Sequence, residues 1–177
     1  RTYDISEFIV DVLGITDVGA YFPHRVTYHP SCHSVRIAKV GDKPMQLLKA
    51  VHGITVLDLP NSEQCCGMGG TFSLKNPDMS VAMASDKARN VASTGAEYLV
   101  AGDNLCLLNI SGVLNRTRAG VKPIHLVEIL AAVPSCFMSS MALSSLATSS
   151  SRWALLMPGA PYMPRQLPIE TSRSEEH

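Results

Sequence analysis

Short β-rich segments alternate with helix-spaced segments through the first 132 residues, and this alternation constrains the fold more than any other feature. Arg25–His29, Ile54–Leu59 and Tyr98–Ala101 read as strands, each closed by Pro or Gly, and Pro123–His125 reads as a brief fourth. Between them lie helical segments. Pro44–Val51 has Pro in its first turn and His52-Gly53 at its end. Pro77–Ser93 carries a broad apolar stripe through Met79, Val81, Ala82, Met83, Ala84, Ala88 and Val91, closed by Thr94-Gly95. Another apolar helix runs from Cys106 to about Leu114, and a last one covers Leu126–Ala132. This order predicts an α/β fold, a Rossmann-like parallel sheet of about four strands with helices on both faces. In such sheets, ligands bind beyond the carboxyl ends of the strands.

The two ends of the chain read differently. Tyr3–Leu13 places Ile5, Phe8, Ile9, Val12 and Leu13 at helical spacing, with Asp4 and Ser6 as starting caps. Gly14–Pro23 is a connector, so residues 1–25 are expected to be a helix and linker whose apolar face belongs with an upstream repeat. Residues 26–132 form the working domain. Residues 133–177 are rich in Ser and Pro and keep no period, which predicts a disordered tail, foreign or frameshifted relative to the domain.

The cysteines carry the chemistry. Cys32 follows the first strand, Cys65 and Cys66 follow the second, and Cys106 follows the third, in the pattern C-x32-CC-x39-C. The parallel sheet therefore brings four thiols that are distant in sequence to one rim. Adjacent cysteines cannot readily crosslink each other, but they can ligate two irons of one cluster, and thiolate is a preferred iron–sulfur ligand. Gly67, Gly69 and Gly70 let the backbone bend close to a bulky cofactor and aim N–H groups at its sulfides. Cys106, at a helix start, has its thiolate favoured by the helix dipole. The chain has five cysteines, and Cys136 falls in the tail, where an inert thiol is the ordinary reading.

These motifs resemble the cysteine-rich CCG domain family. The segments Val26-Thr27-Tyr28-His29-Pro30-Ser31-Cys32-His33, Cys65-Cys66-Gly67-Met68-Gly69-Gly70-Thr71-Phe72 and Gly102-Asp103-Asn104-Leu105-Cys106-Leu107-Leu108 look like the second repeat of the lactate utilization protein A group. That group is close to the iron–sulfur subunit of glycolate oxidase. The resemblance covers roughly Arg1 to Ala132. It implies an iron–sulfur electron-transfer subunit, cytoplasmic, working with other iron–sulfur and flavin-type subunits to oxidise a small 2-hydroxy acid such as L-lactate or glycolate. It also implies a cluster of the 4Fe-4S type on Cys32, Cys65, Cys66 and Cys106. The family's fuller motif ends in C-x-x-C, whereas the corresponding positions here are Cys106 and Asn109, one ligand short.

Other readings stand beside this one. A structural zinc suits four thiolates, although zinc sites usually draw on C-x2-C pairs. Metal-free thiol–disulfide chemistry, as in heterodisulfide reductase-like proteins, would use the same cysteines, and a non-catalytic assembly module would need none of them. His33 is an alternative ligand and His125 a hydrogen-bond donor behind the ligands. Gly67-Met68-Gly69-Gly70 lacks the Lys and the spacing of a phosphate loop. With 15 basic and 15 acidic residues the formal charge is zero, so there is no basic face for nucleic acid. No apolar run reaches the ~18 residues of a membrane span, and the opening lacks the order of a secretory signal.

Overall fold

Four strands, β1 (Arg25–His29), β2 (Thr55–Leu57), β3 (Tyr98–Ala101) and β4 (Lys122–His125), pair in parallel in the order β2-β1-β3-β4. The computed structural model describes residues 2–133. The helices are α1 (Ile5–Glu7), α2 (Lys43–Ala50), α3 (Phe72–Lys75), α4 (Pro77–Ser93), α5 (Asn104–Arg116) and α6 (Leu126–Leu130). The expected α/β architecture is present, with helices on both faces of the sheet.

Two cores follow from the period-two alternation of the strands. Val26, Tyr28 and Val100 point to one face, where Leu48 and Val51 close over them with Leu126 and Ile129 of α6. Leu99 and Ala101 point to the other face, under Ala88 and Val91 of α4 and Ile110 and Leu114 of α5. On β1 the same alternation turns Thr27 and His29 away from the α2/α6 side. Because β1 leads to β2 on one side and β3 leads to β4 on the other, crossovers of one hand put their helices on opposite faces.

The structure departs from the sequence reading in several places. β2 is three residues long instead of running over Ile54–Leu59, since only Thr55, Val56 and Leu57 find partners on β1 and Pro60 offers no N–H to a ladder. β4 takes in Lys122 and contains Pro123, which an edge strand tolerates. The buried stripe of α4 is Ser80, Ala84, Lys87, Ala88 and Val91, whereas Met79 and Val81 are 58% and 52% exposed. α5 starts two residues before Cys106, because the Asp103 carboxylate caps it by accepting the Leu105 N–H at 2.8 Å. α6 ends at Leu130. One element had no counterpart in the sequence reading, α3, while the helical character expected after Ser31-Cys32-His33 is present as a π-helical turn over His33–Ala38.

At the N-terminal end, Asp4 caps α1 by accepting the Ser6 N–H at 2.9 Å. The helix continues as a π-helical turn over Phe8–Val12, with Leu13 N–H donating to Phe8 O. The segment rests on α2, where Lys43 Nζ lies 3.1 Å from Asp11 Oδ2. Tyr3, Ile5, Phe8, Val12 and Leu13 stay exposed. The expected tail beyond Val133, including Cys136, lies outside the described residues. No helix among the described residues is long and apolar enough to cross a membrane.

Candidate metal centre

The carboxyl ends of β1 and β3 lie side by side at the point where the strand order reverses, so the loops that follow them diverge and leave a crevice. Cys32 enters it from β1. Its turn is held by Ser31, whose Oγ accepts the Ser34 N–H at 3.1 Å and lies 2.8 Å from Ser34 Oγ. Cys106 enters from β3, in the first turn of α5. The loop after β2 delivers Cys65 and Cys66 between them.

Three side chains of α4 and α5 grip that loop. Lys87, 0% exposed, donates from Nζ to Asn61 O at 2.6 Å and to Ser62 O at 3.1 Å. Ser80 Oγ donates to Gly67 O at 2.8 Å. Asn109 Nδ2 donates to Cys66 O at 2.8 Å, so the residue standing where the fuller motif has its last cysteine fixes the Cys-Cys-Gly turn through the backbone. Gly67 is required at its position on two counts. Its φ is +85°, and a Cβ there would lie 2.7 Å from Ser80 O.

The thiols meet as the rim argument requires. Cys66 and Cys106 are buried, with Cys32 and Cys65 at intermediate exposure. Cys32, Cys66 and Cys106 line a cavity of about 400 Å³ together with His33, Gly69 and Gly70. Cys65, the neighbour of Cys66 in the chain, does not line it. His33 is exposed at the cavity mouth. Gly67 sits behind the loop against α4. His125 is spent elsewhere, since it caps α6 by accepting the Val127 N–H at 3.2 Å.

Charge is distributed unevenly over the thiols. Cys106 donates to Cys66, which holds the Cys66 thiol far below its usual range; the Met68 N–H and the nearby His29 ring add to this, against the cost of burial. The same bond and burial push the Cys106 thiol far up. The thiolate is thus favoured at Cys66, whereas the helix start alone favoured it at Cys106. Burial pushes the Cys65 thiol up, opposed by the Gly67 N–H, which donates to its Sγ at 3.4 Å. Successive N–H groups of the Gly-Met turn thus point at sulfur. Burial lowers the Lys87 pKa, and the charge of Cys66, Cys65 and Cys106 works against that fall, so Lys87 is a buried cation near the thiols, while Arg36 is a second cation, on the cavity wall.

The sequence reading missed His29. It is 1% exposed, and its ring nitrogen lies in a group with the sulfurs of Cys66 and Cys106 in which all ligand atoms fall within 4.8 Å of one another. Neither ring nitrogen has a hydrogen-bond partner among the described residues. Soft thiolates beside a buried, unpartnered imidazole make a donor set compatible with a metal cluster.

The family model for the CCG cysteine-rich domain matches residues 26–111. The chain belongs to the CCG cysteine-rich domain family. Within it, the chain is 52% identical over 130 residues to lactate utilization protein A of Oceanobacillus iheyensis, a match that covers 73% of this chain and 53% of that protein. It is 45% identical over 130 residues to the protein of the same name from an Exiguobacterium species, again over 73% and 53% of the two chains. For the Bacillus cereus protein of that name the identity is 48% over 130 residues, covering 73% and 54%. The chain thus spans about half the length of the curated relatives it matches.

Proposed function

We propose that this CCG domain is the iron–sulfur electron-transfer part of a system that oxidises a small 2-hydroxy acid, L-lactate to pyruvate in the first instance, with glycolate as the related substrate. Cys32, Cys65, Cys66 and Cys106 hold the cluster, of the 4Fe-4S type. The observation that carries this reading is the convergence of Cys32, Cys66 and Cys106, reduced and from three separate loops, on one crevice, with Cys65 next to Cys66 in the chain. The names of the relatives supply the substrate class.

A bound cluster supplies one-electron acceptance and release. The chain's own residues do the rest. The Cys-Cys-Gly loop is held from behind by Lys87, Ser80 and Asn109, so its two sulfurs stay in place whether or not a ligand is present. The N–H groups of Gly67 and Met68 point at the sulfurs and stabilise negative charge on them. Oxidation of a 2-hydroxy acid to the 2-keto acid releases two electrons and two protons, so a one-electron centre works with a partner that takes the pair. Flavin-type and further iron–sulfur subunits fit that role.

A second reading, metal-free thiol exchange, is favoured by one observation, the two buried, reduced sulfurs of Cys66 and Cys106 within 4.8 Å of each other. Anaerobic purification followed by iron, sulfide and zinc analysis and a visible spectrum, on wild type and Cys66→Ser, separates the two. The proposal expects iron and sulfide with broad brown absorption, lost in the variant. A colourless protein with neither would overturn it and leave thiol exchange.

A further inference from the structure

The cysteine set is one short of the fuller motif, and the residue at that position, Asn109, is committed to Cys66 O and to Ser80 Oγ. A buried histidine, His29, stands on the same face of the sheet with no hydrogen-bond partner for either ring nitrogen among the described residues. We infer that His29 is a nitrogen ligand of the metal centre, completing the donor set of Cys66 and Cys106. This inference rests on the reading of the site as a cluster site.

Three observations carry it. The first is the burial, on a central strand, of two ring nitrogens without a hydrogen-bond partner among the described residues, an arrangement that is unfavourable unless something binds there. The second is position. β1 alternates Val26 and Tyr28 into the α2/α6 core, so His29, the last residue of the strand, faces the α4/α5 side. Its register neighbour on β3 is Ala101, whose methyl group leaves room over the sheet beside the ring. The third is reach. The ligand atoms of His29, Cys66 and Cys106 all lie within 4.8 Å of one another, so the ring and both sulfurs are within reach of one bound centre.

The other histidines at this edge of the sheet do not compete. His33 is exposed, and His125 caps α6. The chemical consequence of a neutral imidazole in place of a thiolate is one negative charge fewer on the centre, which favours its reduced form and raises its potential.

The test is pulsed electron paramagnetic resonance on the full chain carrying its cluster, in its paramagnetic redox state, prepared with ¹⁴N-histidine and with ¹⁵N-histidine. The expected result is a strong hyperfine coupling from a coordinated nitrogen that changes with the isotope. In His29→Cys the cluster remains, the coupling disappears and the midpoint potential moves to a more negative value. Should that variant fail to fold, His29→Ala supplied with ¹⁵N-imidazole provides the second arm, and the coupling returns with the added ring. A cluster without nitrogen coupling, or a coupling that persists in His29→Cys, overturns the ligand assignment while leaving the cluster reading intact. Absence of iron and sulfide from the wild type overturns both.

Discussion

The two faces of the sheet are built from the same strands and do different work. On the α2/α6 side the inward residues are Val26, Tyr28 and Val100, closed by Leu48, Leu126 and Ile129, and the packing is apolar throughout. On the α4/α5 side, Leu99 and Ala101 share the space with Thr27, His29, Cys66, Cys106, Ser80 and Lys87, all buried. One face holds the fold together by area removed from water. The other gives up apolar packing at its carboxyl end to keep polar groups in fixed positions, and those groups surround the crevice. The difference teaches that in this fold the site is one half of a core, finished by polar residues, rather than an addition to the surface.

That comparison can be broken by substitutions on either face. The largest effect is expected from Leu48→Ala, which empties a fully buried position on the apolar face: a loss of about 2–5 kcal/mol in denaturant unfolding, with the metal content per folded chain unchanged. If metal content fell in step, the two faces would not be independent. Next comes Gly67→Ala, where left-handed backbone and a 2.7 Å approach to Ser80 O act together, at a cost of about 2 kcal/mol or more. Gly41→Ala shares the positive φ but meets nothing within 4 Å, so its cost is about 1 kcal/mol and it leaves metal uptake intact. Comparing the melting temperatures of the two variants isolates the close approach.

A smaller loss, about 1–3 kcal/mol, is expected for Lys87→Met, which leaves Asn61 O and Ser62 O without their buried donor. Metal should also leave this variant faster in a chelator challenge, because a buried cation near the thiols is gone. Lys49→Met, on the exposed side of α2, should change neither quantity by more than about 0.5 kcal/mol or its kinetic equivalent.

The smallest effect concerns pH. Burial, aided by Asp4, pushes the Tyr28 hydroxyl up to about 12 from an ordinary 10.0. The folded state then keeps a proton that the unfolded chain releases, so this contribution to stability is fully present below pH 10 and declines as pH rises from 10 toward 12. Tyr28→Phe should flatten that part of the stability profile, measured as the difference from wild type across the window. A parallel profile for the two proteins would contradict the burial of the hydroxyl as the cause.

Much of this was legible in the chain. Strand segments ending at Pro30, Pro60 and Gly102, each followed by cysteine, placed Cys32, Cys65, Cys66 and Cys106 on one rim, and the structure brings Cys32, Cys66 and Cys106 to one crevice while Cys65 does not line it. His29 was not legible as a site residue, because the alternation of Val26-Thr27-Tyr28-His29 sets it opposite Val26 and Tyr28 without saying that its face meets the cysteines. Register with β3 decides it. Lys87 was hidden for a similar reason. The apolar letters of α4 drew the stripe through Met79 and Val81, whereas the buried line runs through Ser80, Ala84 and Lys87, and the two polar ones, Ser80 and Lys87, hydrogen-bond the Cys-Cys-Gly loop and its approach. Asn109 reads from sequence as a missing ligand, and only its contact with Cys66 O shows what it does instead.

The central claim is that the polar half-core at the carboxyl ends of β1 and β3 holds an iron–sulfur centre. Diffraction data collected on either side of the iron absorption edge, from crystals grown without oxygen, test this most directly. The account predicts an anomalous iron peak in the crevice, within bonding distance of Cys66 and Cys106. Iron bound elsewhere, or a crevice with no iron in a protein whose cysteines are reduced, would contradict it.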